Sequence, residues 1–371
     1  MKIAFLNSGF PPSKGGVSTY SYNWAVNTSQ NPQVEKVQVF AFGNSKPRSE
    51  KVNPKLTINA FISRNFFFVG FALLPIFLTH LKFDYFHATN LFPVGFWTVF
   101  WSKVFRKKSV VTFHGTDACS SLGSSKTKKL KKWTIEHAHK AIAVSQFTKS
   151  KACELLKINR DDITVIYAGT PQLPKNNSGT QGIKDKYKIN DDSFVILSVC
   201  QLVKRKGLDY LIQAIKQTDQ NVKLLIVGKG KELANLQALI DKLGLTDRVF
   251  LVGKASHVLP YYSIAKIFVL NSYYLEGDND FEGLGLVLLE AQSLGIPVIG
   301  ANSGGIPEAI HDGFSGYIIP TQDPDTLAHK INQFKNDHNL YQKFSQGAKN
   351  FVQEKFDPQK NIEKYINYLQ A

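Results

Sequence analysis

The sequence is poor in cysteine: Cys119, Cys153 and Cys200 are the only three in 371 residues. They lie far apart, with no CxxC pair and no histidine at metal spacing. That excludes a disulfide framework and a structural zinc site and suits a reducing compartment. No apolar run reaches membrane-spanning length either. The longest, FFFVGFALLPIFL at 66–78, has 13 residues with Pro75 among them, against the ~18 that a span needs. A buried helix and a membrane-touching one both remain open for it. The opening MKIAFLN runs straight into a strand pattern, so no signal peptide is expected. Acids are scarce: 29 Asp and Glu against 45 Lys and Arg, a formal charge of +16. The scarcity is concentrated in residues 46–135, where fifteen Lys or Arg meet only Glu50, Asp84 and Asp117, leaving +12 there. Such an asymmetry points to an anionic partner for the N-terminal half.

What is present is a long alternation. The length is too great for one ordinary core, so two domains are expected, and 43% hydrophobic residues is usual for a globular chain. Strand-like runs occur at 3–7, 37–42, 83–88, 109–114, 141–145 and 163–167, with helical periodicity between several of them, as at 17–27 and 145–156. This is the pattern of a doubly wound parallel sheet. The stretch AGTPQLPKNNSGTQG (168–182) has no period and reads as a linker. A second series follows at 194–200, 222–228, 248–253, 267–272, 297–302 and 316–320. The tail from Pro324 reads as helix, interrupted near Phe356-Asp357-Pro358. The expectation is an α/β protein of two Rossmann-like domains facing a cleft, residues 1–170 and 183–355, with a C-terminal helix at about 357–371 packing back on the first. In such sheets ligands sit beyond the carboxyl ends of the strands.

Three strand-to-helix junctions carry glycines: Gly15-Gly16, Gly283 with Gly285, and Gly304-Gly305, the last followed by Pro307 at a first helical turn. Each would aim backbone N–H groups at an anion, and three together favour a bound diphosphate. LVKRKG adds Lys204, Arg205 and Lys206 after the strand ending at Cys200. VGKGKEL (227–233) superficially resembles a dinucleotide fingerprint, but Leu233 stands where a third glycine belongs and the strand is not the first of its domain, so no nicotinamide cofactor is expected. Beside a diphosphate, Glu282 and Glu290 would be repelled. Their use is as acceptors for ribose and sugar hydroxyls, and Glu290 lies in an otherwise apolar helix where a merely solvated role fits poorly.

The spacing Glu282-x7-Glu290, followed by A…GxPVI…GGxPE, resembles the signature of retaining GT-B glycosyltransferases of family 4. With the N-terminal glycine loop, FHGTD (113–117), LVKRKG (202–207) and LLIVGKG (224–230), the resemblance covers nearly the whole chain and is most specific in its C-terminal half. DNDFEGLGLVLLEA is especially similar to bacterial mannosyltransferases that build phosphatidylinositol mannosides. The resemblance implies a nucleotide-sugar donor, GDP- or UDP-linked, held mainly by the C-terminal domain, an acceptor bound by the N-terminal one, and neither cofactor nor metal. It implies that His114 and Glu282 act at the donor sugar and Glu290 takes the ribose hydroxyls. Gly16, Arg205, Lys206, Gly228, Gly283, Leu284, Gly285, Gly304, Gly305 and Ile306 would surround the donor. This chain departs from the pattern at Gln201, where the family has a phosphate-binding arginine, and at Ala168-Gly169-Thr170-Pro171, where NGVD is usual.

Two alternatives stay open: a GT-B-fold sugar-nucleotide epimerase, and a basic nucleic-acid-binding protein, against which stand the two glutamates and the lack of any nucleic-acid motif. Asp278-x-Asp280 could chelate a divalent ion across donor phosphates, but an acidic loop tip is the better account. SSKTKKLKKWTIEHAH (124–139) reads as a basic helix with Leu130, Trp133 and His137 along one side, and FWTVFWSKVFRKK (96–108) joins aromatics to a cationic end. Both suit a headgroup boundary. A lipid-linked or saccharide acceptor, no nucleic acid, and peripheral attachment to an anionic membrane surface at its cytoplasmic face are therefore expected.

Overall fold

The computed structural model describes all residues except 12–14, 44–45, 62–64, 120–124, 160, 171–178 and 276–278, and the side chain of Thr116. In chain order the elements begin with β1 (Lys2–Asn7), α1 (Gly16–Gln30), β2 (Lys36–Phe42), β3 (Arg48–Asn53), β4 (Leu56–Phe61), α2 (Phe66–Thr79) and β5 (Tyr85–Ala88). Then come α3 (Phe96–Val104), β6 (Lys108–Phe113), α4 (Thr116–Cys119), α5 (Ser125–His137), β7 (Lys140–Ala143), α6 (Gln146–Leu156) and β8 (Thr164–Val165). The second series is α7 (Thr180–Lys186), β9 (Phe194–Val199), α8 (Leu208–Lys216), β10 (Val222–Val227), α9 (Leu233–Leu243), β11 (Val249–Gly253), α10 (Leu259–Ile264) and β12 (Ile267–Leu270). It continues through α11 (Leu286–Ser293), β13 (Val298–Ala301), β14 (Gly316–Ile319), α12 (Pro324–Asn336) and α13 (His338–Lys355), and the chain closes with α14 (Pro358–Gln370).

These elements form two compact units. The first holds Met1–Gly169, Glu276–Gly283 and Asp357–Ala371, and the second Thr170–Leu275 and Leu284–Phe356. The first unit's sheet has the order β3-β4-β2-β1-β5-β6-β7-β8. Its strands are parallel except β3, which runs antiparallel to β4 at the edge. β1, β5 and β7 read as apolar runs because both faces of a parallel sheet are covered. The β3–β4 hairpin is an element that the run-based reading missed. RSEKVN lies on the edge, mostly exposed, and shows no apolar run.

α14 is fastened inside the first unit by buried polar contacts. Tyr365 Oη bonds His87 Nδ1 at 2.7 Å, and His87 Nε2 bonds Thr112 Oγ1 at 2.8 Å. Burial pushes the imidazole down to about 3, so His87 is neutral. The Asp357 carboxylate caps the helix at the Gln359 and Lys360 N–H groups, and Pro358 suits its first turn. The interruption expected near Phe356 is thus a helix boundary, and a second break, not foreseen, falls at Asp337, which caps α13 at Leu340 N.

The second unit's sheet is parallel throughout, ordered β11-β10-β9-β12-β13-β14. Its core gathers Ile196, Leu211, Ile215, Leu224, Ile240 and Phe334, among others. In each sheet the strand order reverses once beside the first strand: between β1 and β5, and between β9 and β12. At such a switch point the connections leave in opposite directions, which opens a crevice at the carboxyl ends.

Candidate active site

At the second unit's switch point, the turn after β9 meets the chain leaving β12. Lys204–Lys206 forms one 3-10 turn, ended by Gly207 in the left-handed region (φ +57). A Cβ on Gly207 would lie 2.3 Å from Asn271 O, so only glycine fits there. Asn271 Nδ2 donates to Gly207 O at 3.1 Å, and Tyr273 N donates to Arg205 O at 2.8 Å. These bonds fix the basic turn: Lys206 is buried, Arg205 half-buried, and Gln201 exposed. Asn271 Oδ1 and Ser272 Oγ are buried with no hydrogen-bond partner, which is unusual for interior polar atoms and leaves acceptor and donor capacity at this edge. Gly228 and Gly230 have a packing role: a Cβ would meet Cys200 O at 1.8 Å and Leu202 O at 2.1 Å. Those glycines let the β10 turn lie against the β9 turn, with Leu202 N donating to Lys229 O at 3.0 Å.

Glu290 lies on α11, after Gly285 at φ +87. Its Oε2 accepts the Tyr262 hydroxyl at 2.8 Å. Burial raises the carboxyl to about 7 despite that hydrogen bond, which acts the other way. The Tyr262 phenol is itself held well above its ordinary range, by burial first and then by the neighbouring carboxylate. A carboxyl poised near neutrality with a single buried phenolic donor keeps lone pairs for further hydroxyls. Tyr262 carries no motif signal, and sequence reasoning did not single it out. Gly304 (φ +59) and Gly305 precede Ile306–Ala309, which is a four-residue 3-10 turn rather than the expected helix. It is tied to α11 by Gln292 Nε2 donating to Ala309 O at 2.8 Å. So short a turn carries little helix dipole, and any anion there would rest on individual N–H groups.

In the first unit, His114 follows β6. Its N–H donates to Asp117 Oδ1 at 2.7 Å, while Leu91 N donates to Asp117 Oδ2 at 3.0 Å, so one carboxylate joins the turns after β5 and β6. His114 Nε2 lies 2.8 Å from Thr89 O. A carbonyl only accepts, so Nε2 carries the proton. Burial lowers the imidazole's affinity for a second proton, and Nδ1 is left as a lone-pair acceptor. The Tyr20 ring meets the imidazole edge-on at 4.6 Å.

The segment Asn279–Gly283 packs on this same turn. Phe281 is buried, 5.0 Å from Phe147 between ring centroids, and a Cβ on Gly115 would lie 2.6 Å from its ring. A Cβ on Gly283 would lie 2.1 Å from His114 O. Two glycines thus allow the backbones bearing His114 and Glu282 to touch, and the structure brings these two residues together. Asn7, at the end of β1, is fully buried with both amide atoms unpaired. Gly16 opens α1 and is exposed. Asp278 lies outside the described residues. Among the described residues, no three His, Cys, Asp or Glu side chains gather as a metal site.

Two doubly wound parallel sheets, each with its polar turns at the carboxyl edge, are the architecture of the GT-B fold. The Anabaena protein HepE, solved with UDP, superposes with a TM-score of 0.80 at 19% identity, over 100% of both chains. WaaG, a glycosyltransferase of lipopolysaccharide biosynthesis, gives 0.70 at 17%, again over 100% of both. The chain belongs to glycosyltransferase family 4: residues 14–171 match the family described as Glycosyltransferase Family 4, and 180–351 match Glycosyl transferases group 1. N-acetyl-alpha-D-glucosaminyl L-malate synthase of Bacillus anthracis is 32% identical over 263 residues, 70% of this chain and 67% of that one. A GDP-mannose-dependent alpha-(1-6)-phosphatidylinositol monomannoside mannosyltransferase of Mycolicibacterium smegmatis is 35% identical over 150 residues, 39% of each chain.

Proposed function

We propose that this glycosyltransferase moves a sugar from a nucleotide diphosphate sugar, GDP-mannose or a UDP-sugar, to a hydroxyl of a lipid-linked or glycan acceptor, with retention at the anomeric carbon and without a metal. The observation that carries the donor reading is the second unit's switch point. There a clamped Lys204-Arg205-Lys206 turn shares a sheet edge with unpaired Asn271 and Ser272 atoms, and the same unit carries a Tyr262-bound Glu290 poised near neutrality. Cations suit a diphosphate, and a carboxylate suits a ribose diol. Two similar proteins point to different bases: HepE is described with UDP, and the mycobacterial enzyme as GDP-mannose-dependent.

In this reading Arg205, Lys206 and the N–H groups from Gly283 to Gly285 and from Gly304 to Ile306 stabilise the departing diphosphate. Glu290 holds the ribose, and Gln201 supplies a neutral contact where an arginine is usual. His114 Nδ1 accepts from a hydroxyl of the transferred sugar, and Glu282 lies near the same sugar. The bond from C1 to phosphate oxygen breaks as the acceptor oxygen bonds C1, and the acceptor proton passes to the leaving phosphate oxygen. The first unit binds the acceptor, and its basic surface holds the enzyme at the cytoplasmic face of an anionic membrane. Among the described residues no helix is long and apolar enough to cross one.

The test is calorimetry with GDP, UDP, ADP and their common sugars, then NMR of the product's anomeric configuration. Nanomolar to micromolar binding of one nucleotide with an axial-to-axial outcome supports the proposal. Inversion would refute retention, and a product formed without acceptor would indicate an epimerase.

A further inference from the structure

α2 is uncharged over its whole length, FFFVGFALLPIFLT. Its inner side, Val69, Leu73, Ile76 and Phe77, is buried. Its outer side is apolar too: Phe67 is 69% exposed, Phe71 76% and Leu78 53%, with Pro75 exposed between them. A helix apolar all round belongs in a core or against something apolar, and a contiguous exposed stripe of this kind marks an interaction surface. α3 lies alongside. Trp101 Nε1 donates to Gly70 O at 2.9 Å, a Cβ on Gly70 would lie 2.6 Å from the Trp97 ring, and Phe77 meets Phe105 at 5.8 Å. Early residues of α2 thus meet early residues of α3 and late meet late, so the helices run parallel. α3 shows its own outward apolar residues, Phe100 and Val104, the latter 55% exposed.

Because the helices are parallel, both end at the same place. There, at the amino-terminal edge of the sheet, a cavity of about 640 Å³ is lined by Leu81, Lys82, Asp84, Tyr85, Arg106 and Lys108, among others. Lys82, Arg106 and Lys108 are exposed, as is Lys103 one turn back on α3. Lys107 is engaged with Leu81 O, and Asp84 with Lys2 N at 2.7 Å. Leu81, still 43% exposed, belongs to both the cavity and the apolar surface. Apolar stripe and cationic cavity are therefore continuous.

We propose that the α2–α3 face enters the interface of an anionic bilayer, with Phe67, Phe71 and Leu78 among the acyl chains and a lipid phosphate in the Lys82–Arg106–Lys108 cavity. The inference deepens the membrane reading above and rests on it. An apolar face rimmed by cations is the signature of interfacial binding, and α2, about 21 Å long at 1.5 Å per residue, lies in the interface and does not span it. A second copy of the chain is the poorer occupant, since it would bring like charge against residues 46–135. Two of the α5 lysines are engaged within the protein, while Lys126 and Lys129 stay exposed. Lys131 is buried there, and Lys132 is paired with Glu136 at 3.4 Å and donates to Lys157 O.

Sedimentation of the full chain with vesicles of phosphatidylcholine alone, or containing phosphatidylglycerol, across a salt series tests this. The wild type should bind the anionic vesicles at low salt and release as salt screens the rim. Phe67→Ser with Phe71→Ser should lower partitioning more than about ten-fold at every salt concentration, as expected when two inserted rings are lost. Lys82→Ala with Arg106→Ala should weaken only the anionic-vesicle binding, and Lys126→Ala with Lys129→Ala should change it less than two-fold, roughly the effect of exposed charges off the contact face. Wild-type binding by the Phe pair would overturn the inference while leaving the membrane reading in place. Loss of binding in the α5 pair alone would do the same. No vesicle binding by the wild type would remove both, and dimerisation abolished by the Phe pair would assign the face to a second copy. All these substitutions are at exposed positions, and unchanged melting temperatures confirm folding.

Discussion

Replacing Glu290 by Gln should weaken donor binding and stabilise the empty protein, and the two effects have one cause. Burial holds the carboxyl near 7 against an ordinary value of 4.5, even with the Tyr262 hydrogen bond at 2.8 Å. The folded protein therefore favours the protonated form. Stability from this group is full below about pH 4.5 and is lost as the pH rises to about 7 and beyond, where ionised Glu290 costs about 3 kcal/mol at most. Gln has no such loss, so the variant should melt higher than wild type at pH 8 and equally at pH 4.5. In the proposed site, ribose hydroxyls donating to the carboxylate would contribute about 1.5–3 kcal/mol, so Glu290→Gln should raise the donor Kd roughly ten- to 150-fold above pH 7. Below that, the wild type must shed a proton to bind. Its affinity should fall up to about ten-fold per pH unit between pH 7 and 5, while the variant's stays flat. Tyr262→Phe removes the one hydrogen bond favouring the ionised form, and should move that midpoint upward. Calorimetry with the nucleotide sugar, paired with melting curves at both pH values, gives every number needed. Equal donor affinity in wild type and Glu290→Gln, with a flat pH profile, would refute the reasoning.

The other expectations are kinetic or chemical. His114→Ala and Glu282→Ala should each lower kcat more than they raise the donor KM if, as proposed, the turn they share lies at the reacting sugar; wild-type turnover in either removes it from that role. Gln201→Arg should tighten nucleoside diphosphate binding, since the exposed side chain has room for a charged donor beside Lys204-Arg205-Lys206, and equal or weaker calorimetric affinity would show that the turn directs it elsewhere. Activity should survive EDTA, and a complete loss restored by Mg²⁺ or Mn²⁺ would return the Asp278–Asp280 metal reading.

The order of elements was legible because each sheet is almost wholly parallel and covered on both faces, so its strands are apolar runs bounded by turns. Every run expected in 194–320 became a strand, from Phe194–Val199 to Gly316–Ile319. The glycine positions were legible for a related reason: a left-handed or crowded backbone tolerates little else, as at Gly207, Gly228 and Gly285. The resemblance to family 4 also lay in local spacing, since Glu282, Glu290 and the two glycine turns occupy one continuous stretch. Edge strand β3 was not legible, because an exposed edge has no apolar run to show.

Partnership and exposure were decided only by the tertiary structure, because they depend on which distant segments come into contact. Nothing local links Tyr262 to Glu290, yet burial beside it raises the carboxyl's proton affinity and their hydrogen bond offsets part of that rise. Asn279–Gly283 joins the first unit because Phe281 fills the space beside Gly115 and Phe147, two contacts more than 130 residues away in the chain. Composition made α2 and the α5 lysines equally conspicuous, but packing divided each between interior and surface. Lys131 went inward against its chemistry and Phe71 outward against its own. A side chain's character sets the free energy of each environment, and the neighbours that the fold brings to it decide which environment it meets.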